Sequence, residues 1–141
     1  MTGFSEDPRE APPVSPCPDA VFDALLLFAV LTCVPGDESQ HRLMAEVNRI
    51  LEPGGILYIS DLLPQDDDRN RSRYSRYANR LGRHGVFETG DGAVCRDHSR
   101  EWLSTLLARF ETVDTRTITV ATMNRHESTG IQIPAFWPEL T

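Results

Sequence analysis

The sequence predicts an α/β fold in which two parallel strands flank a helix. Residues 21–30 and 56–62 are apolar runs without the polar alternation of a half-exposed strand, and this pattern is typical of strands covered on both faces. Residues 37–51 carry apolar side chains at helical spacing. A strand, a helix and a strand joined by short links form a βαβ unit, whose crossover is right-handed.

Length and composition limit the class of protein. The chain has 141 residues, which suits one domain, and its 40% apolar and 25% charged residues are ordinary for a globular protein. The net charge of −7 argues against general affinity for nucleic acid. The longest uncharged apolar run, residues 24–31, is far shorter than a membrane span. We therefore expect no nucleic-acid partner and no membrane partner.

The cysteines and the N-terminus bear on location. Cys17, Cys33 and Cys95 are odd in number and include no C-x-x-C pair, so a reducing compartment fits better than a disulfide scaffold. The N-terminus has neither the basic nor the apolar region of a signal peptide. We therefore expect a cytoplasmic protein.

The chain divides into a short N-terminal segment and one domain. Residues 1–20 contain five prolines, which lack the N–H and fix φ, so this segment is predicted to be a loop or a frayed tail. Residues 21–137 form the domain. Its first strand, 21–30, is followed closely by Pro35 and Gly36. A buried helix is the alternative interpretation of this short apolar run.

The first helix has start and stop signals. Asp37 and Gln40 have the spacing of a capping box variant and predict the helix start. Pro53 cannot continue helical hydrogen bonds, and Gly54 and Gly55 permit positive φ, so we expect the helix to stop there and the chain to reverse into the next strand. The apolar stripe of this helix consists of Leu43, Met44, Val47, Ile50 and Leu51.

The second half of the chain mixes helices with hairpins. The elements expected there are an acidic turn at 64–68, a helix at 69–81, a small hairpin at 86–96, a helix capped by Ser99, and a long antiparallel hairpin of 111–123 and 127–136. Gly82, just past the second helix, is a typical helix terminator.

Residues 46–61 carry a resemblance to a known family. Their sequence, EVNRILEPGGILYISD, resembles the fourth-helix-to-fifth-strand segment of class I S-adenosylmethionine-dependent methyltransferases of the type 11 subgroup. Phe22-Asp23 and the apolar run after them resemble the family's fourth strand, and the resemblance covers about residues 10–136. It implies a partial Rossmann-like methyltransferase sheet: strands four and five parallel, then an antiparallel hairpin of strands seven and six. It also implies helices on both faces and the absence of the first three strands.

The resemblance implies a cofactor and its place. Class I methyltransferases bind S-adenosylmethionine at the carboxyl ends of the parallel strands, as open α/β sheets generally bind ligands. In this sequence Phe28, Ala29 and Val30 lie at the end of the fourth strand, so they are expected to wall the cofactor pocket. Methyl transfer depends chiefly on proximity and orientation, and the resemblance carries over no catalytic residue.

The family's main cofactor grip is missing from this sequence. It consists of a Gly-rich turn after strand one and an acid after strand two, and no G-x-G-x-G occurs here. We therefore expect the isolated chain to bind S-adenosylmethionine weakly or not at all. Strand 21–30 should present an unpaired edge, which could pair with an N-terminal half or a second chain.

A local arginine cluster follows the acidic turn. It consists of Arg69, Arg71, Arg73, Arg76, Arg80 and Arg83. One interpretation is a phosphate or nucleic-acid contact. The other, which helical charge runs favour, is a solvated face paired with the aspartates at 66–68.

Three further side chains are candidates for a substrate pocket. Tyr74, Tyr77 and His98 lie between strand five and the last helix, a region that often forms the acceptor site in the family, and a histidine there could take a proton from an acceptor. The alternative is a surface histidine beside Ser99. No metal site is expected, because Cys95 and His98 supply one ligand pair and nothing completes a zinc set.

Two hypotheses for function follow. The first is a methyltransferase acting on a small-molecule acceptor, with this chain as its C-terminal half. The second is a non-catalytic, truncated or degenerate chain that serves as a partner subunit through its exposed strand edge. The Gly-rich turn discriminates between them, because another chain could supply it.

Overall fold

A computed structural model describes residues 15–121 and 126–139. The elements in chain order are β1 (Phe22–Phe28), α1 (Asp37–Ile50), β2 (Leu51–Leu62), α2 (Asp68–Leu81), β3 (Val86–Glu88), β4 (Val94–Arg96), α3 (Arg100–Leu106), β5 (Glu111–Thr112), β6 (Arg116–Ala121) and β7 (Glu127–Phe136). A short 3₁₀ turn, Leu31–Cys33, links β1 to α1.

The main sheet has the order β1-β2-β7, with β5 and β6 both pairing with β7. Strands β1 and β2 are parallel, and β2 and β7 are antiparallel. The predicted βαβ unit and the late antiparallel hairpin are therefore confirmed, as is the α/β fold class. Within the part of the chain that the structure describes, β1 pairs only with β2, so its other edge is open.

Helix α1 begins differently from the expectation. Its N-cap is Gly36, and no side chain caps it, whereas the sequence predicts Asp37 as the cap. Asp37 is instead the first helical residue, and its carboxylate accepts hydrogen bonds from Arg83 and from Arg96. The capping prediction is wrong because these two distant guanidinium groups hold the carboxylate.

The predicted stop at Pro53 also differs. Helix α1 ends at Ile50, and β2 already begins at Leu51, so Pro53 and the glycines lie inside the strand. The β1–β2 register shifts between the pairs Phe22–Leu51 and Ala24–Ile56, and Gly54 has φ +82° within this irregularity. The segment therefore forms a bulge in the strand, which proline and glycine tolerate.

The predicted helix ends at Gly82 and Ser99 are confirmed, and the Asp67 cap of α2 lies in the segment predicted only as an acidic turn. Asp67 caps α2 by accepting from the Asn70 N–H, and Gly82 ends it with φ +79°. Ser99 Oγ accepts from the Trp102 N–H at 3.1 Å and caps α3. In the predicted loop 1–20, only 15–20 are described, and they form a loop on the last turn of α1. The predicted turn at 124–126 lies mostly outside the described residues.

One face of the sheet carries the core. Leu27, Leu57, Ile59 and Ile133 are nearly inaccessible to solvent and pack against α1 and α3. At about 25 cal/mol per Å² of apolar surface, each such side chain contributes roughly 2 kcal/mol to folding.

The opposite face of the sheet is open. Leu26 is 63% exposed, Phe28 is 54% exposed and Phe136 is 39% exposed. The resemblance implies helices on both faces, but α1 and α3 share one face, and no helix of the described residues covers these side chains.

Candidate functional site

The turn that follows β1 has an unusual backbone. Ala29 has φ +54°, the left-handed region that a residue with a Cβ rarely adopts. Its N–H donates to the Ser60 carbonyl at 2.9 Å, so the first residue of the turn is still hydrogen-bonded to β2. Phe28 and Ala29 are exposed at this strand end, whereas Val30 is partly buried against the core. The three residues expected to wall the cofactor pocket thus lie together at the carboxyl end of β1.

Two buried side chains hold this turn in place. Asp61, near the end of β2, accepts from the Thr32 N–H at 3.2 Å and from the Leu62 N–H at 2.8 Å. Gln40 Nε2 donates to the carbonyls of Leu31 at 3.1 Å and Val34 at 2.8 Å. Carbonyls and N–H groups that no helix or strand satisfies are therefore paired on both sides of the turn.

A chain of polar contacts connects Gln40 to α3. The indole N–H of Trp102 can only donate, and it donates to Gln40 Oε1 at 2.6 Å. This contact fixes the amide, so its NH2 group lies 2.8 Å from His98 Nε2, and its two hydrogens are shared among this nitrogen and the carbonyls of Leu31 and Val34. His98 Nε2 is then the acceptor, and Nδ1 carries the proton. Nδ1 lies 3.8 Å from Asp61 Oδ1, too far for a hydrogen bond.

Burial sets the charge states in this network. His98 is completely buried, and burial together with the nearby Arg96 charge lowers its pKa to about 3. The imidazole is therefore neutral near pH 7. Burial also raises the pKa of the Asp61 carboxyl to about 6, opposed by its two backbone hydrogen bonds. His98 thus supports the turn through its contact with Gln40, and its side chain is not accessible to solvent among the described residues.

A second buried pair joins Tyr74 and Asp97. The Tyr74 hydroxyl donates to Asp97 Oδ2 at 2.5 Å and accepts from the Gln65 N–H at 2.8 Å. Burial raises the pKa of Asp97 to about 6, and burial beside that carboxyl raises the pKa of Tyr74 above its ordinary value. Tyr74 is only 1% exposed, so it orients Asp97 and is itself hardly accessible.

A cavity of about 520 Å³ opens at the carboxyl ends of β1 and β2. Its wall includes Thr32 from the turn after β1, Gln65 after β2, Arg73 from α2, and Asp97. Asp97 is 4% exposed, so it presents a buried carboxylate at the wall of this cavity. The ring of Tyr77 lies instead in a neighbouring groove between α2 and the β3–β4 hairpin.

The sequence did not single out the residues that organise this site. The sequence pattern places Asp61 only in a strand and Gln40 only in a capping box, and it assigns Asp97 no role. The one usable signal was a carboxylate at the end of an apolar strand, since the carboxyl ends of parallel strands are where open sheets bind ligands.

In residues 15–121 and 126–139, no group of three or more His, Cys, Asp or Glu side chains could hold a metal ion. None of the helices in these ranges combines the length and apolar character needed to cross a membrane.

Comparisons with known proteins agree with this architecture. Residues 7–59 match the family described as "Methyltransferase domain". An S-adenosylmethionine-dependent methyltransferase from Methanosarcina mazei superposes with a TM-score of 0.83 at 24% identity, over 89% of this chain and 64% of that one. This chain therefore spans less than two thirds of that protein. No curated protein sequence is significantly similar.

Two other solved structures have the same fold at lower identity. One is a 1,6-didemethyltoxoflavin N1-methyltransferase from Burkholderia thailandensis, bound to 1,6-didemethyltoxoflavin and S-adenosylhomocysteine (TM-score 0.59, 18% identity, 86% of this chain and 46% of that one). The other is the [4+2]-cyclase SpnF (TM-score 0.55, 18% identity, 89% and 53%). The fold therefore also hosts a cyclase.

The class that the sheet and its strand-end cavity define is the class I methyltransferase fold. The resemblance of this chain to the C-terminal half of the type 11 methyltransferase family is confirmed by the family match and the superposition.

Proposed function

We propose that this chain is the C-terminal part of an S-adenosylmethionine-dependent methyltransferase that acts on a small-molecule acceptor. The observation that carries the proposal is the cavity at the end of β2, which Thr32 lines from the turn after β1 and which Phe28, Ala29 and Val30 do not line. Parallel sheets bind their ligands at this edge. The bound acceptor and S-adenosylhomocysteine of the Burkholderia thailandensis relative support the same class of reaction.

The residues present fit one wall of a cofactor site. Phe28, Ala29 and Val30 offer apolar surface and an exposed turn held by Gln40 and Asp61. The sequence contains no glycine-rich turn, so the remaining contacts to the cofactor must come from another segment. When bound, S-adenosylmethionine supplies a methyl group that its sulfonium already activates, and the protein contributes orientation and exclusion of water.

Asp97 is the group in this chain best suited to accept a proton. It lies at the cavity wall, and because its pKa is about 6 it is ionised near pH 7. An acceptor O–H or N–H that loses its proton as the methyl group arrives would transfer that proton to the carboxylate. Tyr74 is then a positioning residue that holds Asp97 Oδ2. His98 is a positioning residue for the turn after β1.

The missing half would dock on the open side of the sheet. The free edge of β1 offers unpaired backbone groups, and Leu26 and Phe28 offer exposed apolar side chains beside it. We propose that the N-terminal strands of the methyltransferase fold, in the same or a second chain, pair there. The free cysteines favour a reducing, cytoplasmic setting.

The isolated chain is expected to bind S-adenosylmethionine very weakly or not at all, because it supplies one wall of the site. Titration calorimetry of the purified chain tests this directly. Micromolar binding would show that these residues hold the cofactor alone, and the proposed need for an N-terminal half would fail.

The alternative function is a non-catalytic partner subunit. The open β1 edge and the exposed Leu26 are compatible with this function as much as with the first one, because a partner can dock there whether or not a reaction is catalysed. The cavity discriminates between the two functions. If the chain, assembled with its partner, transfers no labelled methyl group yet remains tightly associated, the partner-subunit function is correct.

A further inference from the structure

Three arginines of α2 line one groove. Arg69, Arg73 and Arg76 are spaced four and three residues apart, so they lie on the same side of the helix. They form the wall of a groove of about 410 Å³, together with Tyr77 and the start of the hairpin turn at Thr89. One wall of the groove is α2, and the other is the β3–β4 hairpin.

The acids near these arginines are engaged elsewhere. Arg71, on another side of the helix, pairs with Asp66 at 2.9 Å and with Asp68 at 2.8 Å. Glu88, the acid on the groove wall, pairs with Arg80. The Asp67 carboxylate already accepts a hydrogen bond from the Asn70 side-chain amide, and this bond, together with the positive charge of Arg69, lowers the pKa of Asp67.

The groove keeps an excess of positive charge, although the Asp97 carboxylate of the adjoining cavity attracts Arg73. In the ranges that the structure describes, no carboxylate forms an ion pair with Arg73 or Arg76. The groove therefore carries more positive than negative charge, in a protein whose net charge is −7. The solvated-face interpretation of the arginine cluster accounts for Arg71, which is ion-paired, but not for the arginines of the groove.

Arg73 gives an independent indication of a ligand. Its guanidinium lies over the Phe87 ring at 3.7 Å from the ring centre, and one terminal nitrogen donates to Asn70 Oδ1. Its Nε is buried without a hydrogen-bond partner. A buried cationic N–H left unpaired is costly, and a small shift of the Arg73 side chain on ligand binding would let an acceptor oxygen reach it.

The groove is continuous with the proposed acceptor cavity. Arg69, Arg73 and Thr89 line both spaces. A molecule that places one end beside Asp97 can therefore extend its other end toward Arg76. The far end would meet Arg76, and Arg69 and Arg73 would lie between it and the Asp97 carboxylate.

We propose that Arg69, Arg73 and Arg76 bind an oxyanion, the phosphate or carboxylate of the acceptor molecule, and hold it while its nucleophile faces Asp97. This inference rests on the proposed function and names its substrate class: a small acceptor with an anionic group. Guanidinium groups bind such oxyanions with paired, charge-assisted hydrogen bonds.

The test titrates the full chain with small probes and follows the arginine Nε–H and backbone signals by NMR. Phenyl phosphate and benzoate are the anionic probes, phenol is the neutral control, and inorganic phosphate tests for a free anion. Phenyl phosphate is expected to shift the Arg73 and Thr89 signals and to bind more tightly than inorganic phosphate, whereas phenol does not shift them. Added sodium chloride should weaken the binding.

The variants separate the groove from the rest of the helix. Arg76→Gln is expected to weaken phenyl phosphate binding by about fivefold, the loss of one exposed charge-assisted contact. The matched control Arg71→Gln lies on the same helix outside the groove and is expected to change affinity less than about twofold. Both positions are exposed, so neither change should unfold the chain.

Several results would overturn the inference: no shift at Arg73, equal losses in the two variants, or equal affinity for phenyl phosphate and inorganic phosphate. Tighter binding of a short single-stranded RNA would point to a nucleic-acid site and also contradict it. The titration needs no cofactor, so its outcome is separate from that of methyl transfer. Anion binding without methyl transfer would reject the proposed function alone.

Discussion

Replacing Gln40 by leucine is expected to lower the free energy of unfolding by about 3 kcal/mol, since each buried polar group left unpaired costs about 1–3 kcal/mol. The leucine keeps the approximate volume but removes the amide that accepts from Trp102 and donates to the carbonyls of Leu31 and Val34. It also leaves His98 Nε2 without its donor. Urea unfolding at pH 7 measures the effect.

The matched control is Gln132→Leu. Gln132 is also a glutamine, but it lies half-buried on the open face of the sheet, and its one hydrogen bond, from the Tyr58 hydroxyl, is long at 3.4 Å. This change should cost less than about 1 kcal/mol. Equal losses in the two variants would mean that the Gln40 network does not specifically stabilise the turn after β1.

Replacing His98 by glutamine is expected to flatten the dependence of stability on pH. In the folded chain the pKa of His98 is about 3, whereas in the unfolded chain it has its ordinary value near 6.5. Between these values the unfolded chain binds the extra proton. The wild type therefore loses stability as the pH falls from 6.5 toward 3, by about 1.4 kcal/mol per pH unit. The glutamine variant lacks this loss.

Urea unfolding at pH 7 and pH 4 gives the comparison. The wild type should lose about 3 kcal/mol more than His98→Gln over this interval. The raised pKa values of Asp61 and Asp97 act in the opposite sense, with stability falling as the pH rises from about 4 to about 6, but both proteins contain these groups and they cancel. His41→Gln, at an exposed position of α1, is the control and should follow the wild type. Parallel losses in His98→Gln and wild type would contradict the buried, neutral histidine.

Local patterns predicted most of the fold. These patterns depend on neighbours within a few residues, so they can be recognised in the sequence directly. They are the apolar runs at 21–30 and 56–62, the helical stripe between them, and the helix-end residues Gly82 and Ser99. The two corrections have long-range causes. The Asp37 carboxylate accepts hydrogen bonds from Arg83 and Arg96 and does not cap the helix. The bulge at Pro53 follows from the register in which β2 pairs with β1.

The candidate site was less predictable for the same reason. Asp61, Gln40 and His98 are separated by 21 to 58 residues and come together only through the packing of α1, β2 and α3. Periodicity cannot report such a contact. The prediction that Phe28, Ala29 and Val30 wall a cofactor pocket depends instead on the known role of parallel-strand ends, and it stays a prediction.

We propose that this chain forms one part of a cofactor site, which N-terminal strands complete on the open edge of β1. The most direct measurement is calorimetric titration of S-adenosylmethionine into a fusion, in which the segment of the Methanosarcina mazei protein carrying the first three strands precedes residue 15. The fusion should bind in the micromolar range, the isolated chain far more weakly, and the fusion with Leu26→Asp should lose the gain because a charge then faces the docking surface. A folded fusion that leaves S-adenosylmethionine unbound would contradict the claim.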